Sequence, residues 1–165
     1  MNTKLPRILA TFVALTALML PAYSQVASEV KQEAKRVELK VTEDFDKALA
    51  EAKKEKKLLM LYFLGSDWCP PCKMLHRYVI DTEDFAKYAE KNLKVVFSDW
   101  ARGSGPKSKD FKARHERLAE EYQLEAFPTI IFINPENGKR FKLMGYVVKS
   151  PKELIERVEA FRTQK

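Results

Sequence analysis

The chain has 165 residues, 45% of them apolar and 11% aromatic, enough for one well-packed domain and too few for two comfortable ones. Its formal charge of +7 comes from 30 basic and 23 acidic residues interleaved along the chain, with no aromatic-studded basic stripe, which argues against nucleic acid as a partner. Its 2 cysteines are too few for a disulfide-stapled scaffold, so their chemistry rather than their cross-linking is the question.

Lys4 and Arg7 precede an apolar run from Ile8 to Leu20, followed by Pro21 and the small-x-small sequence Ala22-Tyr23-Ser24. This order predicts a secretory signal peptide over residues 1–24, and with it a periplasmic or secreted protein. The apolar run is 13 residues long, short of a membrane span, and an uncleaved leader is the one route to a membrane attachment. No cysteine follows the leader, which disfavours a lipoprotein. Cleavage after Ser24 removes two of the 30 basic residues and none of the 23 acidic ones, leaving a net charge of +5. Export also permits disulfides to persist.

Residues 25–40 are rich in charge and carry Val26, Val30, Ala34 and Val37 at roughly helical spacing, reading as a linker or loosely docked helix ahead of a domain over 41–165. The alternation of Val37, Leu39 and Val41 allows a short edge strand. Thr42 or Asp44 then caps a helix with Phe45, Ala48, Leu49 and Ala52 on one face and a run of lysines at its end. Leu58 to Leu64 is apolar on both faces, as in a strand covered on both sides.

Directly after this strand comes Ser66-Asp67-Trp68-Cys69-Pro70-Pro71-Cys72-Lys73, followed by Met74, Leu75, Tyr78 and Val79 at helical spacing. Two residues between the cysteines let both sulfurs meet within one helical turn. Cys69 falls at the helix start, where free backbone N–H groups favour a thiolate, which makes it the expected nucleophile and Cys72 the resolving thiol. Pro70 and Pro71 fit the first turn, whose N–H groups have no intrahelical partner. A zinc site is disfavoured, since only His76 and His115 could complete a ligand set, and no metal is expected. Haem attachment requires histidine where Lys73 stands. A purely structural disulfide is weak because so small a loop constrains the unfolded chain little.

Asp81 to Asp84 starts a further helix carrying Phe85, Tyr88 and Ala89, and Leu93 to Phe97 forms the next strand. A glycine-containing loop over 101–109 precedes a helix with Phe111, His115, Leu118, Ala119 and Tyr122 on one stripe, which makes His115 a helix-face residue. Thr129 to Ile133, a turn at 134–138 and Arg140 to Met144 make a hairpin. Ser150 and Glu153 read as a capping box with Pro151 at the first helical position; Leu154, Ile155, Val158 and Phe161 form that helix's apolar face.

The order of these elements over roughly 37–162, with Trp68-Cys69-Pro70-Pro71-Cys72-Lys73, Phe127-Pro128-Thr129 and Gly145, resembles the thioredoxin superfamily, and within it the exported bacterial thioredoxin-like proteins. The Trp-Cys-Pro-Pro-Cys stretch is also similar to the tryparedoxin motif. The resemblance implies an α/β three-layer sandwich, a central mixed β-sheet with helices on both faces. It also implies a cis peptide before Pro128, with Trp68, Pro70, Pro71, Phe127 and Pro128 forming the substrate groove around Cys69 and Cys72. One departure stands out: the family's buried aspartate, six residues before the first cysteine, is Phe63 here. The expected function is exported thiol–disulfide exchange with protein disulfide or dithiol substrates and a separate redox partner, without cofactor. The reductase direction is favoured, because neither Pro70 nor Pro71 can offer a side-chain hydrogen bond or charge. The rival is a thioredoxin-like peptide-binding or chaperone module without redox turnover.

Overall fold

The structure is a computed structural model, and it describes residues 38–103 and 109–164; the expected leader, most of the linker at 25–40 and the centre of the loop at 101–109 lie outside the described residues. The elements run β1 (Val41–Thr42), α1 (Phe45–Glu55), β2 (Leu58–Leu64), α2 (Pro70–Leu75) continuing into a π-helical turn (His76–Ile80), α3 (Glu83–Asn92) and β3 (Leu93–Asp99). After these come α4 (Lys109–Glu121), β4 (Thr129–Ile133), β5 (Arg140–Met144) and α5 (Pro151–Arg162).

Seven consecutive apolar residues make β2 the middle of the sheet, because a strand with no polar face must be covered on both. All seven are buried, and the strand order is β1-β3-β2-β4-β5. β2 runs parallel to β3 and antiparallel to β4, which pairs antiparallel with β5 in the expected hairpin. Alternation then sorts the side chains into two layers. Met60, Tyr62 and Leu64 join both cysteines, Leu75, Phe85 and Leu154 beneath α2, α3 and α5. Leu59, Leu61 and Phe63 join Phe45, Leu118 and Tyr122 beneath α1 and α4. This is the three-layer mixed sandwich read from the sequence.

Local polar bonds fix the helix starts. Asp44 is the cap of α1, its Oδ1 accepting the Lys47 N–H at 3.1 Å, while Thr42 Oγ1 accepts the Asp44 N–H at 3.1 Å. Ser150 caps α5 through the Glu153 N–H at 3.2 Å, but the Glu153 carboxylate reaches back to the N–H of Lys149 at 2.9 Å, one residue earlier than a capping box requires.

Three expectations change in detail. The edge strand is confined to Val41–Thr42, paired with Val95 and Val96, while Leu39 packs half-buried on the core. β3 runs on through Ser98 to Asp99. In the motif helix the 3.6-residue spacing breaks after Leu75, where the Asp81 N–H bonds the His76 carbonyl at 2.7 Å across five residues. Leu75, Val79 and Ile80 are buried, and Met74 and Tyr78 stand 42% and 53% exposed.

Candidate active site

β2 delivers the chain to the site and Gly65 lets it turn there. A Cβ at position 65 meets the Trp68 indole at 2.4 Å, so only glycine allows the ring to lie against the backbone. The next two residues are fastened to the far end of β3 and to the loop that follows it. Asp99 accepts the Ser66 N–H on Oδ1 at 3.0 Å and the Ser66 hydroxyl on Oδ2 at 2.6 Å. Asp67 Oδ2 accepts the backbone N–H groups of Gly103 at 2.7 Å and Arg102 at 2.8 Å. Those bonds, Gly103's foremost, hold the Asp67 carboxyl below the usual carboxylate range.

Cys69 occupies the N-cap of α2, with Pro70 and Pro71 in the first turn. Its Sγ accepts the Cys72 N–H at 3.3 Å, and the two sulfurs are joined in a disulfide with the Cα atoms 5.2 Å apart. An N–H aimed at the Cys69 sulfur favours the thiolate there once the bond opens. In the closed state both cysteines are nearly enclosed, at 3% and 1% exposure, so they differ in which sulfur receives the N–H rather than in access. The Cys72 carbonyl accepts the Tyr62 hydroxyl at 3.3 Å. Burial, with the Asp99 carboxylate adding to it, pushes the Tyr62 phenol well above its ordinary value.

An aromatic wall stands beside the disulfide. Trp68 and Phe127 meet edge to face with centroids 5.2 Å apart, and Trp100 closes on Phe127 at 6.0 Å. The Trp68 indole N–H donates to the Trp100 carbonyl at 2.8 Å, and the Arg102 guanidinium lies 4.5 Å from the indole centre. The Phe127–Pro128 peptide is cis, and the Pro128 carbonyl accepts the Gly145 N–H at 2.7 Å, joining the start of β4 to the end of β5. Gly145 has φ 75°, a left-handed conformation that favours glycine.

Trp68 and Phe127 therefore pack against the cluster that contains both cysteines. His115 is elsewhere, buried at 5% on α4, with Nδ1 3.2 Å from the Ser98 hydroxyl. Phe63 is fully buried in the layer under α1 and α4, in the cluster without the cysteines, and offers no acid–base group. On the other side of the sheet a cavity of about 380 Å³ opens beside Cys72, lined by Leu64, Ser66, Lys73, His76, Phe97 and Asp99.

Sequence reasoning did not single out Gly65, Tyr62, Ser66, Asp99, Trp100 or Arg102. A lone glycine ending an apolar strand is a signal of close backbone approach. The others act across 10 to 35 residues of chain and leave no local pattern.

A family profile described as a thioredoxin-like domain matches residues 45–162. Among curated proteins the chain is 28% identical over 104 residues to the disulfide bond reductase DsbH of Chlamydia pneumoniae, covering 63% of this chain and 61% of that protein's length. It is 32% identical over 125 residues to thioredoxin H3 of Arabidopsis thaliana, covering 73% and 85%. Among solved structures, a DsbH oxidoreductase superposes with a TM-score of 0.68 at 22% identity, covering 77% of this chain and 87% of that one. A thioredoxin from Thermus thermophilus does so with a TM-score of 0.58 at 20% identity, covering 77% and 89%. At these identities the superpositions speak for the fold alone.

Proposed function

Since the chain belongs to the thioredoxin-like family of thiol–disulfide oxidoreductases, we propose that it exchanges disulfides with exported proteins through Cys69 and Cys72. The observation that carries this reading is the closed Cys69–Cys72 disulfide with the Cys69 sulfur at the Cys72 N–H, the first of α2, beside Trp68 and Phe127. The Cys69 thiolate attacks a substrate disulfide and expels one substrate thiolate; the Cys72 thiolate then attacks Cys69 Sγ, expels the second and closes the bond seen here. Two electrons pass to the substrate and no cofactor takes part. Trp68, Pro70, Pro71, Phe127 and Pro128 form the groove in which an extended substrate segment lies. The reductase direction is favoured by the pair of prolines between the cysteines and by similarity to a protein named as a disulfide bond reductase. Export rests on the leader expected over residues 1–24.

The test is reduction of insulin by the chain from Gln25 onward, with dithiothreitol as electron source. Acceleration over dithiothreitol alone, abolished by Cys69→Ser, is the expected result. No acceleration refutes redox turnover and leaves a peptide-binding module.

A further inference from the structure

We infer that His76 is the proton acceptor for the Cys72 thiol, a role for which position 63 offers no acid–base group. The resolving step needs Cys72 as a thiolate, and its proton must go somewhere. Phe63 cannot take it and faces the other layer of the core. Asp67 is committed to two backbone N–H groups, and Asp99 to both donors of Ser66. The two N–H groups hold the Asp67 carboxyl below the usual carboxylate range, which makes it a weak base. His76 lies one turn beyond Cys72, borders the same cavity of about 380 Å³, and packs its ring edge to face on Phe97 at 5.8 Å. Among the described residues its Nδ1 is enclosed without a hydrogen-bond partner, so proton exchange with the cavity falls to Nε2. The cavity has room for the water that links a sulfur to an imidazole.

Charge around the ring fits the role. The titratable groups that line the cavity with His76 are Lys73 and Asp99, the Tyr62 hydroxyl bonds the Cys72 carbonyl, and Arg77, next in the chain, sets its guanidinium over the Tyr78 ring. The helices α3 and α5 meet the π-helical turn through apolar residues, Val79 and Ile80 with Phe85 and Leu154. In the resolving step the Cys72 S–H bond breaks, its proton passes through water to His76 Nε2, the new thiolate forms the Sγ–Sγ bond, and the Cys69–substrate bond breaks with its electron pair on the substrate sulfur. The imidazolium then returns the proton to solvent or to the departing thiolate.

This inference rests on thiol–disulfide exchange by the pair, and one experiment separates the two. Mixing the reduced protein with one equivalent of 5,5′-dithiobis(2-nitrobenzoate) releases chromophore twice, first as Cys69 attacks and then as Cys72 resolves the adduct. The ratio of the second rate to the first reports the Cys72 step alone. His76→Ala and the size-conserving His76→Gln are expected to lower this ratio at neutral pH at least about a hundredfold, the lower end of general-base effects. The second rate should then climb about tenfold per pH unit, as for a thiol ionising unaided, and added imidazole should restore it in His76→Ala. A His76→Gln protein with the wild-type ratio overturns the inference, as does one with a lowered ratio but an unchanged pH profile, which is a packing effect. A wild-type protein without the first phase refutes thiol exchange itself.

Discussion

Asp67 shows how a single exposed residue can hold the rim of this site. It sits two positions before the nucleophile, and its carboxylate is spent on the N–H groups of Arg102 and Gly103. Arg102 in turn lies over the Trp68 indole, so the carboxylate also positions one cover of the aromatic wall. Because folding holds the Asp67 carboxyl below its unfolded value, its contribution is complete above that unfolded value and is lost as pH falls through the folded one. Protection of the Arg102 and Gly103 amides, taken relative to the intrinsic exchange rate at each pH, should therefore fall on acidification. In Asp67→Ala it should be low already at neutral pH, with no acid-dependent loss left. Protection that is equal in the two proteins at neutral pH counts against the clamp.

At the scale of elements, the pieces set by repeated local patterns were legible in the sequence. The seven-residue apolar run gives β2, the turn residues give the β4–β5 hairpin, and Ser150 with Pro151 gives the start of α5. Each reflects a period or a cap contained in a few neighbouring residues. The bonds of Asp67 and Asp99, the packing of Trp100 and the π-helical turn were not legible, because each depends on which distant segment folds alongside. Phe63 was read correctly as a departure, yet its layer follows only from the register of β2 against β4. The capping of α5 gives a test that separates stability from chemistry. Ser150→Ala should lower stability by about 1 kcal/mol, as a lost N-cap does, seen as a lower denaturation midpoint. The rate at which reduced Cys69 takes up iodoacetamide should stay as in the wild type, since Ser150 touches nothing around the disulfide. A matching loss in alkylation rate would mean that α5 supports the site more directly than its contacts indicate.

For the molecule as a whole, the site is a seam between segments that lie far apart in sequence. The motif follows β2, Asp99 ends β3, and Phe127 and Pro128 lead into β4, so this arrangement exists only once these three strands are paired. The proposed exchange would bring a partner to the Cys69 sulfur and to Phe127 together. Cys72→Ser should accumulate a covalent adduct with a partner protein through Cys69, visible as a band removed by reductant. Phe127→Ala added to that variant should weaken trapping while leaving Cys69 reactive to a small alkylating reagent. Absence of any adduct above the Cys69→Ser, Cys72→Ser background would mean that the pair does not exchange with protein disulfides in the cell. The same seam gathers both tryptophans of the chain, Trp68 next to Cys69 and Trp100 against Phe127, and the rest of the fold contains no other indole. A disulfide is an electron acceptor for an excited indole, so the protein carries its own optical reporter. Its ultraviolet emission should rise when the bond opens and change again when a partner covers the wall, allowing redox state and docking to be followed in real time without a dye.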